Sequence, residues 1–151
     1  MAVVERGQRY KIVNAKSGTV LDLSSHPPPS STYTALTTCL SLVNGWNFHG
    51  RDNQIWEASE EHGFWHFKNV ASGKYLAPKS TQYKDGIKVI ASDTRFNWHI
   101  WPDKKNPNTL RICIPDTVFN VDLSNHGDAK GGTPVELWGR WEGTNQTWKF
   151  E

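Results

Sequence analysis

An all-β fold closed by three pseudo-equivalent units is what this sequence predicts, and three observations predict it. The chain repeats itself, it lacks helical periodicity, and turn residues break its short apolar runs every 8–12 positions or so. Asn14-Ala15-Lys16-Ser17-Gly18-Thr19-Val20-Leu21 recurs as Asn69-Val70-Ala71-Ser72-Gly73-Lys74-Tyr75-Leu76, 55 positions on. Leu21-Asp22-Leu23-Ser24-Ser25-His26 recurs as Val121-Asp122-Leu123-Ser124-Asn125-His126, 100 positions on. Asn53-Gln54-Ile55-Trp56 recurs as Asn145-Gln146-Thr147-Trp148, and Trp98-His99-Ile100-Trp101 reads as an altered copy between them. Trp56, Trp101 and Trp148 then close the units, at spacings of 45 and 47 residues. Residues 1–151 form a single domain of three units, roughly 7–58, 59–103 and 104–151. Each unit supplies about four short strands, about twelve in all, and cannot bury its apolar face alone. Three together share one barrel core, and closure removes exposed edge strands.

The elements follow in order. Tyr10-Lys11-Ile12-Val13 alternates as a half-buried strand, Lys16-Ser17-Gly18 turns, and Thr19-Val20-Leu21-Asp22-Leu23 is the next strand. The run 26–31 carries three consecutive prolines, which forbid a central strand and make it a rigid surface loop or a polyproline II ligand. Asp22 lies 34 residues before Trp56, whereas Asp122 lies 26 before Trp148, so the first unit carries this loop as an insertion. Phe64-Trp65-His66-Phe67-Lys68, Lys88-Val89-Ile90-Ala91, Leu110-Arg111-Ile112-Cys113-Ile114 and Val135-Glu136-Leu137-Trp138 read as further strands. Gly73, Gly86, Asp116 and Gly131-Gly132 mark turns between them.

Composition excludes several classes. A chain of 151 residues can bury a real core, and the units leave no room for a second domain. There are eight tryptophans against one methionine, and indoles serve a core or a binding surface equally well. A formal net charge of +2 is too small to argue for nucleic acid or anionic lipid, and Lys104-Lys105 is a pair rather than a tract. No stretch approaches transmembrane length, and residues 1–6 lack the apolar segment of a secretory signal, so a cytoplasmic location is expected. Cys39 and Cys113 occupy non-equivalent positions and read as two free buried thiols. His62 and His66 are four apart but in a strand, where that spacing serves no metal; neither metal nor cofactor is expected.

Gln54-Ile55-Trp56 and Gln146-Thr147-Trp148 carry a Q-x-W pattern, each downstream of an Asp strand, Leu21-Asp22-Leu23 or Val121-Asp122-Leu123. Thr133-Pro134-Val135-Glu136-Leu137-Trp138 adds a P-V-x-L-W strand. On these motifs the whole chain resembles the ricin B-type lectins. The resemblance implies a β-trefoil with up to three sugar sites, commonly for galactose or N-acetylgalactosamine. The absence of a signal and of cystines makes it similar to small cytoplasmic mushroom lectins. The middle unit departs from the pattern: Ala77 stands where spacing from Gly73 places the aspartate, with Trp98 for Asn and His99 for Gln.

The residue types suit a sugar for physical reasons. A pyranose has an apolar C–H face and a rim of hydroxyls. An indole covers the face, an ionised Asp accepts from adjacent hydroxyls, and an Asn both donates and accepts. The third unit supplies Asp122, Trp138 and Asn145, with Glu136 on the same sheet face as Trp138 and with His126 and Trp141 in bordering loops. The first unit supplies Asp22, His26 and Asn53, with Trp46 as platform because it stands seven residues before Asn53, as Trp138 stands before Asn145; His49 is a further candidate. Gln54 and Gln146 complete the two sets, although with Trp56, Trp101 and Trp148 their first reading is support of turn and core. In the middle unit, Tyr75, Tyr83 and Trp98 are either an aromatic core patch or a second type of glycan site, stacking a fucose or N-acetylglucosamine.

Three function classes follow. A non-catalytic lectin with weak sites acting through avidity leads, its partners glycans on proteins or lipids, and a defensive or toxic role is what the mushroom resemblance implies. A glycosidase would use Asp122 and Glu136 as paired carboxylates, but the first unit has no matching Glu, so no enzyme is expected. A trefoil protease inhibitor would act through surface loops such as 26–31. The sequence leaves a homodimer open.

Overall fold

A computed structural model describes residues 2–24 and 41–151. The expectations for His26, the proline run and Cys39 lie outside the described residues. Thirteen strands are present among the described residues: β1 (Arg9–Tyr10), β2 (Ile12–Asn14), β3 (Val20–Leu23), β4 (Val43–Trp46), β5 (Trp56–Glu61), β6 (Phe64–Asn69), β7 (Tyr75–Pro78), β8 (Val89–Ser92), β9 (His99–Pro102), β10 (Leu110–Cys113), β11 (Phe119–Leu123), β12 (Thr133–Gly139) and β13 (Trp148–Phe150). The thirteenth arises because one sequence run is shared between two sheets. Tyr10 pairs with Trp56, whereas Val13 pairs with Lys149 and Val20.

Strands β2, β13, β10, β11, β12, β4 and β3 hydrogen-bond in a closed ring, with β9 joined to β10; β1, β5, β6, β7 and β8 form the second sheet. The pseudo-threefold relation is legible in the pairing. Asp22 faces Asn44 across β3–β4, Ala77 faces Ile90 across β7–β8, and Asp122 faces Glu136 across β11–β12. The second strands of these hairpins meet each other. Thr133 pairs with Gly45, Leu42 bridges Ile90, and Lys88 bridges Glu136.

The core explains the repetition. Leu21, Trp56, Phe67, Leu76, Trp98, Val121 and Trp148 are wholly buried together. Three indoles make the same bond: Trp56 Nε1 donates to Leu21 O (3.0 Å), Trp98 Nε1 to Leu76 O (2.9 Å) and Trp148 Nε1 to Val121 O (3.1 Å). Each buried N–H is thereby satisfied and pins the end of one unit to its aspartate-position strand. The middle closing tryptophan is therefore Trp98, not Trp101. Trp101 lies on β9 and is 54% exposed.

The repeated turns have a local cause. The Asn14 side chain accepts from the Lys16 and Ser17 amides and donates to Asn145 O; Asn69 accepts from the Ser72 amide and donates to Asn53 O. Gly18 and Gly73 end these turns at φ of 77° and 72°, which a side chain would strain. Each such asparagine thus holds the backbone of a candidate site asparagine in a neighbouring unit. Cys113 is a free thiol, buried, and burial raises its pKa. No helix among the described residues is long and apolar enough to cross a membrane, and no group of three or more His, Cys, Asp or Glu among them could hold a metal.

Candidate functional site

A pocket of about 440 Å³ opens beside β11 and β12, lined by Asp122, Asn125, His126, Glu136, Trp138, Gly139, Trp141 and Asn145. Asp122 forms its floor and is almost fully buried. Asn145 Nδ2 donates to Asp122 Oδ2 (3.2 Å) and to Leu123 O (3.1 Å). Gln146 Nε2 donates to the same Asp122 oxygen (2.9 Å) and to Gly139 O (3.0 Å). The short 3-10 segment Thr144–Gln146 presents both amides to one carboxylate. One carboxylate oxygen is thus fixed by two amides. Among the described residues no group donates to Oδ1, so a ligand on the pocket side has an oriented acceptor to meet.

The electrostatics are set by position in the sheet. Glu136 faces Asp122 directly across the strands, and its Oε2 accepts from Lys88 Nζ (3.2 Å). Burial raises the Asp122 pKa to about 6; the Gln146 and Asn145 bonds and the His126 charge oppose this, while Glu136 adds to it. The carboxylate is ionised at neutral pH and close to its titration just below it.

The walls are aromatic. Trp138 and Trp141 are 40% and 44% exposed, so large indole faces remain open to solvent. His126 stands edge-on to Trp141, centroids 5.9 Å apart. Asn125 and His126 both have left-handed backbones, at φ of 53° and 54°. Two successive non-glycine residues held in that region are a strained feature at the pocket rim. Asn145 Oδ1 is buried with no hydrogen-bond partner among the described residues. Gly143 lies against it and against the Trp141 ring, and a Cβ there would collide with both.

The first unit repeats the floor. Asn53 Nδ2 donates to Asp22 Oδ2 (3.2 Å) and Leu23 O (3.1 Å), and Gln54 Nε2 donates to Asp22 Oδ2 (2.8 Å) and Asn47 O (2.9 Å). His49 occupies the position of Trp141: its amide donates to Gln54 Oε1 as that of Trp141 donates to Gln146 Oε1. Its Nε2 lies 3.8 Å from Asp22. Trp46 faces Val20 in β3 as Trp138 faces Asn120 in β11, so the two tryptophans are equivalent. The Trp46 ring lies against Gly131 of the third unit and is 38% exposed.

Three sequence expectations need correction. Gln54 and Gln146 are wholly buried behind the aspartates, so they orient the acid and do not reach a ligand. Trp98 is also wholly buried and cannot belong to a surface site with Tyr75 and Tyr83. Those two tyrosines are half-buried, Tyr83 packing on Phe119 with centroids 6.4 Å apart. With Trp98 aligned on Trp56 and Trp148, the middle unit has Arg95 for Asn and Phe96 for Gln, and Phe96 packs edge-on to Trp98. With Ala77 on the floor as well, the acid–amide site is missing there.

Sequence reasoning missed Arg111. Its guanidinium donates to Asp103 Oδ1 (2.9 Å), Gln146 Oε1 (3.0 Å) and Trp141 O (2.8 Å). One half-buried cation therefore braces both the glutamine behind Asp122 and the loop carrying Trp141. Nothing in a strand arginine 35 residues from Gln146 signals this pairing.

Comparison with known proteins follows the same lines. A family model described as "Ricin-type beta-trefoil lectin domain-like" matches residues 52–138. The Macrolepiota procera ricin B-like lectin, solved in complex with lactose, aligns at 39% identity and a TM-score of 0.88, covering 99% of each chain. The Rhizoctonia solani agglutinin aligns at 26% identity and a TM-score of 0.80, covering 99% of this chain and 98% of its own. ThreeFoil, a designed threefold-symmetric protein, shares the fold at 22% identity and a TM-score of 0.77, covering 94% of this chain and 96% of its own. No curated protein matches the chain.

Proposed function

The chain belongs to the ricin-type β-trefoil lectin family, and from that premise we propose that it is a non-catalytic lectin for galactose-type sugars. The observation that carries this reading is the third-unit pocket, where an amide-fixed Asp122 lies under two open indoles. A terminal galactose or N-acetylgalactosamine stacks its C–H face on Trp138 and donates hydroxyls to Asp122. Asn145 keeps Asp122 Oδ2 fixed, so the acceptor needs little reordering when the sugar arrives. The lactose in the Macrolepiota procera complex supports the galactose choice. The first unit, with Asp22, Asn53 and Trp46, is the second site. Two weak sites on one chain favour clustered glycans through effective concentration, which suits agglutination and a defensive role.

A glycosidase is the weaker reading. Asp122 and Glu136 face each other across adjacent strands, so both stand on one floor of the pocket. Glycoside cleavage needs carboxylates flanking the scissile bond. Glu136 is moreover paired with Lys88, and the first unit has Asn44 in its place.

The test is a glycan array and NMR titration with galactose and N-acetylgalactosamine series. Wild-type protein should bind terminal galactose-type glycans, and Trp138→Ala should weaken that binding about tenfold without lowering the melting temperature. Unchanged binding by Trp138→Ala would remove the third-unit site from the account. Gly143→Ala checks the wall independently. The added methyl displaces the Trp141 ring and Asn145, so affinity at this pocket should fall while the overall fold survives. Wild-type affinity in that variant would mean that the Trp141 wall does not touch the sugar.

A further inference from the structure

Trp141 lines two depressions. Beyond the Asp122 pocket lies a larger cleft of about 880 Å³, also lined by Trp101, Lys104, Asp116, Val118 and Arg140. Both volumes fall in the range of about 300–1,000 Å³ typical of ligand sites. We propose that this cleft is an extension subsite, taking the residues of an oligosaccharide that follow the ring held over Asp122. The proposal rests on the lectin reading of that pocket and adds to it a preference for chains over single sugars.

Three observations carry it. Trp101 is 54% exposed and Trp141 44%, so the cleft offers two open indole faces. Trp101 takes no part in closing the core, since Trp98 does that. Its exposure leaves it for a surface role, and an exposed indole in a concave site suits the C–H face of a pyranose. The rim between carries cationic and carboxylate side chains, Lys104, Arg140 and Asp116, which can meet hydroxyls of either sense.

The cleft walls are also held in place before any ligand arrives. Arg111 lines the cleft and at the same time holds the Trp141 carbonyl and the glutamine behind Asp122. The opposite wall is tied by Arg140, whose Nη1 donates to Thr117 O (3.0 Å) and whose amide donates to Val118 O (2.8 Å). Cleft and pocket therefore share one brace, and a chain crossing Trp141 meets walls that need little ordering.

The experiment compares Kd for galactose, lactose and a galactose-terminated tetrasaccharide, with the matching N-acetylgalactosamine series, by NMR titration. It uses the full chain carrying Asp22→Asn, so that the first-unit site is silent. The tetrasaccharide should bind about tenfold tighter than the monosaccharide. Trp101→Ala should abolish that gain while leaving the monosaccharide Kd within twofold, and Trp101→Phe should restore most of it. Equal Kd for mono- and tetrasaccharide, or an equal loss for both in Trp101→Ala, overturns the subsite and leaves the pocket standing. If Asp122→Asn leaves monosaccharide binding unchanged, the pocket reading falls and takes the subsite with it.

Discussion

Asp122→Asn lowers sugar affinity at the third-unit pocket by about 10- to 100-fold and leaves the chain folded. The substitution keeps the side chain's size and removes its charge. A hydrogen bond to a charged acceptor contributes about 1.5–3 kcal/mol, and each 1.4 kcal/mol is a tenfold change in Kd. Asn145 and Gln146 retain their bonds to Leu123 O and Gly139 O, so the pocket floor stays in place. In an Asp22→Asn background the NMR titration reads this site alone. A Kd within twofold of wild type would mean that no sugar hydroxyl is held by Asp122.

The same residue sets a pH dependence. Its pKa in the folded chain is about 6, above the ordinary value of 3.8, so the folded state binds the proton more tightly than the unfolded chain does. Ionised Asp122 therefore costs stability above about pH 6, and the cost is relieved as the pH falls from there to below 4. Binding runs the other way. The sugar needs the ionised acceptor, so affinity should fall as the pH drops through about 6. Glu136 and His126 also face the pocket, and Asp122→Asn isolates the Asp122 contribution. That variant should show no stability penalty at pH 7 and should lose the step in affinity near pH 6. A wild-type affinity flat from pH 7.5 to 5 would contradict the assignment.

What the sequence revealed and what it concealed follow from the range of the interactions. Asp22 and Asp122, with Asn53 and Asn145, were legible because the first and third units still carry the same short motifs, and the structure joins each pair directly. Trp46 was legible by spacing from Asn53, and its pairing matches that of Trp138. The Gln residues were legible as supports, their first reading, and they are wholly buried behind the acids; only their inclusion among ligand contacts misled, because a motif does not say which side of the acid its amide approaches. The ion pair of Lys88 with Glu136, the Arg111 brace and the left-handed turn at Asn125 and His126 were not legible. Each depends on residues far apart in the chain, or on backbone angles that no residue type dictates. The middle unit failed for another reason. Two tryptophans three residues apart competed for one structural role, and the flanking Asn and Gln that would have decided between them are replaced.

Stability separates those two tryptophans cleanly. Trp98→Ala should cost about 3–5 kcal/mol, as truncation of a buried aromatic does. Trp98 is wholly buried, and its loss also strands the Leu76 carbonyl that accepts from it. Against a typical total of about 5–15 kcal/mol, that loss leaves the variant marginal or unfolded. Trp101→Ala, at an exposed position, should stay within about 0.5 kcal/mol of wild type. Urea denaturation of the two variants reads the difference directly, and a larger loss for Trp101 would reverse the alignment of the middle unit. The expected ordering also bears on how the fold divides its labour. The closing indole is present in all three units, whereas the acid–amide set is present in two. Phe96 fills the place of the glutamine without disturbing the indole bond beside it. The barrel therefore requires the tryptophan and not the Asp–Gln pair, which is what a pair maintained for a ligand, and not for the core, would show.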